Sequence, residues 1–207
     1  MKKIIVVKIG SSVLFTRRNK LDEFRIAQIA SQVKKLQDLE FSVVLIVSGA
    51  VAYGANFVDL SGSQIERRAA AGIGQIFLTS TFDNQFHQKN VQIAQLLLTK
   101  KNFESKNDKC SLVNIFNHYM KKNIVSFVNE NDVVSLNSFN GNDYLAAQIG
   151  TLLHADQLII LSTMQGSAYG VGGAKSKLEA VDMVRQKNIR AAIVDGKIKD
   201  ILLKTVL

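Results

Sequence analysis

Residues 1–14 read MKKIIVVKIGSSVL, and the passage from IIVVKI into Gly10-Ser11-Ser12 decides the fold. The apolar, β-branched run at 4–9 reads as a strand buried on both faces, and a glycine followed by hydroxyls opens the loop behind it. Working outward, runs rich in Val, Ile and Leu recur at 43–47, 93–98, 124–128, 158–161 and 189–194, each read the same way. Between them lie helical patterns: Ile26, Ile29, Ala30 and Val33 follow an i, i+3, i+4, i+7 spacing that makes one apolar stripe. Strand alternating with helix predicts an α/β chain, a three-layer αβα sandwich around a mostly parallel central sheet. In such sheets ligands bind beyond the carboxyl ends of the strands. No repeat, low-complexity tract or linker interrupts the pattern, so residues 1–207 are expected to form a single domain.

Composition narrows the classes. With 47% hydrophobic residues in 207, the chain can bury a sizeable core. No stretch reaches the roughly 18–20 apolar residues that span a bilayer, and the opening lacks a small-residue cleavage site, so a cytoplasmic location is expected. Cys110 is alone and cannot form an internal disulfide, while His87, His118 and His154 are scattered, which argues against a zinc site or a histidine triad. The net charge of +9 raises nucleic acid as a partner, but the basic residues sit in short runs such as Arg67-Arg68 and Lys121-Lys122 without aromatic interleaving. A solvated basic surface that attracts an anionic nucleotide is the better reading.

The loops carry the chemistry. Lys8 ends the first strand and Gly10-Ser11-Ser12 follows, so a fixed positive charge and loop N–H groups can meet phosphate oxygens, although a polar turn would look alike. Ser48-Gly49-Ala50-Val51-Ala52 follows the second strand with small side chains that expose backbone N–H groups, or that pack helix closely on sheet. Asn129-Glu130-Asn131-Asp132 and Asn140-Gly141-Asn142-Asp143 are two Asn/Asp clusters that suit turns and helix caps, or a substrate ammonium and the ordering of lysines. Gly170-Val171-Gly172-Gly173-Ala174-Lys175-Ser176-Lys177 leads into a helix. Lysines beside the positive end of a helix dipole favour an anion there.

In this order the loops resemble the glutamate 5-kinases of the amino acid kinase family, over nearly the whole chain. Residues 7–12 are similar to the family's opening strand and KxGSS, 48–54 to its SGAxAxG loop, and 70–75 to its AAxGQ helix. The NEND motif is intact at 129–132, residues 155–161 resemble ADxLIIL, and the later glycine loop resembles TGGMxTK.

The resemblance implies an amino acid kinase (carbamate kinase-like) fold and ATP-dependent phosphorylation of the γ-carboxylate of L-glutamate, the first step towards proline. It implies Lys8 and Lys177 as stabilisers of the transferring phosphoryl group and Asp143 as the residue that holds them. Ser48, Gly49, Ala50, Asp132 and Asn142 would bind glutamate, with Asp132 suited to its ammonium. Lys8, Gly10, Ser11, Ser162, Thr163, Gly172, Gly173 and Lys177 would contact ATP, with Mg2+ held largely by phosphate oxygens and water. A homo-oligomer and coupling to glutamyl phosphate reductase are further family expectations. The departures are specific. Ser162-Thr163-Met164-Gln165-Gly166 stands where the family has TDxDG, and the second glycine loop begins almost at once, at Gly170, instead of several tens of residues later. GDND has become Asn140-Gly141-Asn142-Asp143, with Gly141 in place of its first carboxylate, and Val171 and Ala174 replace the Thr and Met of TGGMxTK. The RNA-binding-like PUA domain that ends some relatives is expected to be absent. These departures keep a second expectation open, a member that binds ligand or a partner without turning over ATP.

Overall fold

The computed structural model describes residues 2–163 and 173–207. Strand β1 (Lys3–Ile9) leads through the single-turn helix α1 (Ser11–Leu14) to α2 (Glu23–Asp38), β2 (Phe41–Val47), the short α3 (Ala50–Gly54) and the long α4 (Gln64–His87). Next come β3 (Ile93–Leu98), a 3-10 turn at Lys100–Phe103, α5 (Lys106–Lys121) and β4 (Val125–Glu130). Then follow α6 (Asn142–Leu152), β5 (Gln157–Ser162), α7 (Ala174–Arg185), β6 (Arg190–Asp195) and α8 (Ile201–Val206).

The sheet runs β3-β4-β2-β1-β5-β6 with every neighbouring pair parallel. Alternate residues feed two cores, as the two-residue strand period requires. Ile5, Val7, Ile9, Leu45, Val47 and Ile159 pack with α2, α4 and α8 on one face. Val6, Val44, Ile46, Leu158 and Ile160 pack with α5, α6 and α7 on the other. The expected three-layer sandwich is therefore present. One detail differs: β3 and β6 lie at the sheet's edges, so most of their residues are only half-buried or exposed instead of covered on both faces. No helix of the described residues is long and apolar enough to cross a membrane.

Helix boundaries follow local chemistry. Asp22, Ser63 and Ser105 cap α2, α4 and α5 by accepting from first-turn N–H groups. At their far ends α4, α5, α6 and α7 stop on Asn90, Asn123, His154 and Asn188, each with φ between 49° and 59°. The next N–H reaches back five residues: Val91 to Phe86 O, Ile124 to Tyr119 O, Ala155 to Gly150 O and Ile189 to Val184 O, at 2.9–3.1 Å. This is the left-handed stop usually made by glycine, which Asn tolerates best among other residues.

Candidate active site

Lys8 lies at the carboxyl end of β1, the central strand that pairs β2 on one side and β5 on the other. Its stem is buried, 6% exposed, and its Nζ sits 2.8 Å from Asp143 Oδ1. Burial pushes the Lys8 ammonium below its usual range, and the adjacent Asp143 carboxylate pushes it back up. Asp143 stands in the first turn of α6 because Gly141, with φ 114° and ψ 155°, turns the chain in a conformation that side chains disfavour. Ser176, in the first turn of α7, donates to Asp143 Oδ2 at 2.9 Å, and Lys177 Nζ approaches the same oxygen at 3.8 Å while donating to Gly173 O at 3.3 Å. One carboxylate thus gathers two ammonium groups, one from β1 and one from α7. The cluster keeps one net positive charge, which suits an anion passing over it.

Gly10 lies against this cluster. Its N–H donates to Leu161 O at 2.9 Å, and a Cβ there would come within 3.2 Å of that carbonyl and 3.7 Å of Lys8 Nζ. Ser11 begins α1, and Ser162 ends β5 with its carbonyl accepting from Gly196 N at 3.0 Å. Thr163 and Gly173 follow at the same rim. Gly172 lies outside the described residues, as do the TDxDG-like positions beyond Thr163.

The other half of the site is built from neutral groups. Asn142 Nδ2 donates to Ser48 Oγ at 3.2 Å and to Asn129 Oδ1 at 2.9 Å. Asn129 in turn donates to Gln75 Oε1 at 2.8 Å. Gly49, with φ 119°, carries the chain from β2 into α3, and a Cβ there would strike the Phe15 ring at 2.7 Å. A backbone contact fixes α3 against α4: a Cβ at Gly54 or Gly74 would lie 1.8 Å from Ala70 O or Ala50 O. The small residues around Ser48 therefore serve close packing as well as exposed N–H groups.

The loop between the two Asn/Asp clusters hangs on buried acids. Phe139 N donates to Glu130 Oε2 at 3.1 Å and Asn137 N to Asp132 Oδ1 at 2.9 Å. Burial raises the Glu130 carboxyl to about 7, with the loop N–H groups of Phe139, Gly141 and Ser138 pulling the other way and Asp132 adding to the rise. Burial also raises Asp132. Arg68 of α4 clamps the same loop by donating to Val133 O at 2.6 Å and Val134 O at 3.0 Å.

Lys8, Asp143 and Lys177 therefore meet, as do Ser48 and Asn142, while Asp132 is tied to its own loop. Gln75, Asn129, Glu130 and Ser176 received no individual role from the sequence, although all four lie inside quoted motifs. Among the described residues no group of three or more His, Cys, Asp or Glu side chains is placed to hold a metal.

The comparisons with known proteins accord with this geometry. Two solved structures share the fold: the UMP kinase from Ureaplasma parvum, with TM-score 0.67, 15% identity and coverage of 100% of this chain and 95% of that one, and an isopentenyl phosphate kinase, with TM-score 0.66, 12% identity, 98% and 95%. In sequence, the glutamate 5-kinase of Dehalococcoides mccartyi (strain CBDB1) is 29% identical over 243 aligned positions, covering 98% of this chain and 65% of that protein. Glutamate 5-kinase 2 of Bacillus subtilis (strain 168) is 30% identical, with 99% and 65% covered, and the enzyme of Chlorobaculum tepidum is 36% identical, with 93% and 55% covered. The chain thus spans less than two thirds of the length of these relatives. An alignment of 243 positions exceeds its 207 residues, in keeping with the short connection after β5. The Amino acid kinase family pattern matches residues 3–166, the stretch that carries Lys8, Ser48, Asn142 and Asp143, and the chain belongs to that family.

Proposed function

We propose that this chain is a kinase that transfers the γ-phosphoryl group of ATP to the γ-carboxylate of L-glutamate, giving glutamyl 5-phosphate for proline synthesis. The observation that carries the reading is the pairing of Lys8 and Lys177 through Asp143, beside Ser48 and Asn142, at the carboxyl ends of the central strands. In the proposed reaction a carboxylate oxygen forms a bond to the γ-phosphorus while the bond to the oxygen of ADP breaks. The acceptor is already ionised at neutral pH, so no proton has to be removed and the protein's task is positioning and charge stabilisation.

Lys8 and Lys177 are assigned to the oxygens of the transferring group, and Asp143, fixed by Ser176, keeps both ammoniums in place. Ser48, Gly49, Ala50, Asp132 and Asn142 are assigned to glutamate, and Gly10, Ser11, Ser162, Thr163, Gly172 and Gly173 to the nucleotide. Mg2+ supplies charge neutralisation on the phosphates. With no carboxylate cage among the described residues, it would enter bound to the nucleotide. A second reading, a member that binds ligand or a partner without turning over ATP, is favoured by Thr163 and Gln165 in place of the family's two acidic positions.

The test is ATP turnover by the purified protein with Mg2+ and glutamate, with aspartate and no acceptor as controls and hydroxylamine to trap the acyl phosphate. Glutamate-dependent hydroxamate that falls about 10²–10³-fold in Lys8→Ala is the expected result. Folded protein that binds glutamate without producing hydroxamate would instead establish the non-catalytic member.

A further inference from the structure

We propose that Gln75 is a positioning residue that sets which way the Asn142 amide faces, and thereby makes the acceptor pocket select a ligand carrying an ammonium group. The inference rests on the assignment of Ser48 and Asn142 to the acceptor, and it concerns binding and not turnover.

One group in the amide chain has no choice of polarity. The backbone N–H of Glu130 can only donate, and it donates to Asn129 Oδ1 at 2.9 Å. Asn129 must then present its Nδ2 to Gln75, whose Oε1 receives it at 2.8 Å. Gln75 is held in that sense because its Nε2 donates to Thr79 Oγ1 at 3.1 Å, an oxygen that also accepts from Gln95 Nε2 at 2.8 Å. On the other side, Asn129 Oδ1 takes Asn142 Nδ2 at 2.9 Å, and the same nitrogen reaches Ser48 Oγ at 3.2 Å. The side-chain nitrogen of Asn142 is thereby turned towards protein. Its Oδ1 is buried and has no hydrogen-bond partner among the described residues.

A buried acceptor left without a donor is unfavourable, so the arrangement is completed by a ligand that brings N–H groups. A neutral amide beside Lys8 and Lys177 can take an ammonium that the positive cluster would repel from its own half. Gln75, itself 9% exposed, touches neither Asn142 nor Ser48 in this chain of bonds. Asn129 is held at both ends, its oxygen by the Glu130 N–H and its nitrogen by Gln75; without Gln75 that buried nitrogen loses its acceptor, and the rotation of Asn129 that relieves it would let Asn142 turn its nitrogen into the pocket. A donor in that place would accept a plain dicarboxylate as readily as an amino acid.

The experiment compares calorimetric binding of L-glutamate and of glutarate, which lacks the amino group, to the wild-type chain, Gln75→Leu and Gln75→Glu. The expected result is a wild-type preference for glutamate of more than about tenfold. Gln75→Leu should shrink that preference by about tenfold, and Gln75→Glu, whose carboxylate still accepts from Asn129, should keep it within about threefold. Gln75→Met replaces the leucine variant if the latter shows no cooperative unfolding. A purely structural role would lower thermal stability and weaken both acids alike, leaving the ratio unmoved. An unchanged ratio, or a wild type that binds glutarate as well as glutamate or binds neither, overturns the inference. Binding with the expected ratio but no hydroxamate would remove the kinase proposal alone.

Discussion

Asn142 and Asp143 are consecutive residues in the first turn of α6, and they serve opposite halves of one site. Asp143 faces Lys8, Lys177 and Ser176 in a charged cluster, whereas Asn142 faces Ser48, Asn129 and Gln75 in a neutral one. The charged half is held by long-range attraction, which tolerates 3.8 Å at Lys177. The neutral half is held by direction, through amides bonded at 2.8–3.2 Å. Charge suits a place where phosphoryl oxygens must pass, and directional bonds suit a place where one acceptor must be told from another.

Asp143→Asn tests this division most severely. It keeps the shape and removes the charge, so Lys8, already pushed down by burial, loses the partner that raises it. Hydroxamate formation should fall about 10²–10³-fold while calorimetric glutamate affinity stays within about threefold. A parallel loss of both would mean that the halves do not work separately.

Glu130→Gln sharpens the comparison from the neutral side. The Glu130 carboxyl is raised from 4.5 to about 7, so between those pH values the folded chain holds a proton that the unfolded chain has released. Stability from this group is complete below about pH 4.5 and is lost as pH rises through about 7, by up to about 3 kcal/mol. The glutamine variant should lack that fall. Urea midpoints across this range decide it, and parallel profiles for the two proteins would refute the assignment.

Ser176→Ala should have the smallest effect. It removes one hydrogen bond to a carboxylate that retains both lysines, so about 1 kcal/mol of stability is expected to go. Hydroxamate formation should change by no more than a few-fold, and a loss as large as that of Asp143→Asn would place Ser176 among the groups that act on the reacting atoms.

The sheet was legible because buried parallel strands read as apolar runs, and the loops that bring Lys8, Asp143 and Lys177 together were legible as charged residues beside glycines, with the resemblance to the glutamate 5-kinases singling out those three. What could not be read is what sequence spacing does not encode. Gln75 and Asn129 are 54 positions apart and meet only because α4 lies across the end of β4. The exposure of β3 and β6 depends on strand order, which apolar runs alone do not reveal. Asn90, Asn123, His154 and Asn188 escaped notice as helix stops because the expected stop is glycine. The Gly172 assignment lies outside the described residues.

Because all strands run the same way, Asn90, Asn123, His154 and Asn188 lie along the rim where strands begin, and Lys8, Ser48, Glu130 and Ser162 lie along the rim where they finish. Punctuation and chemistry occupy opposite shores of the sheet. Substitutions at one shore are far enough from the other to combine additively. A lineage can therefore rewrite its acceptor loops without disturbing the instructions that launch each strand.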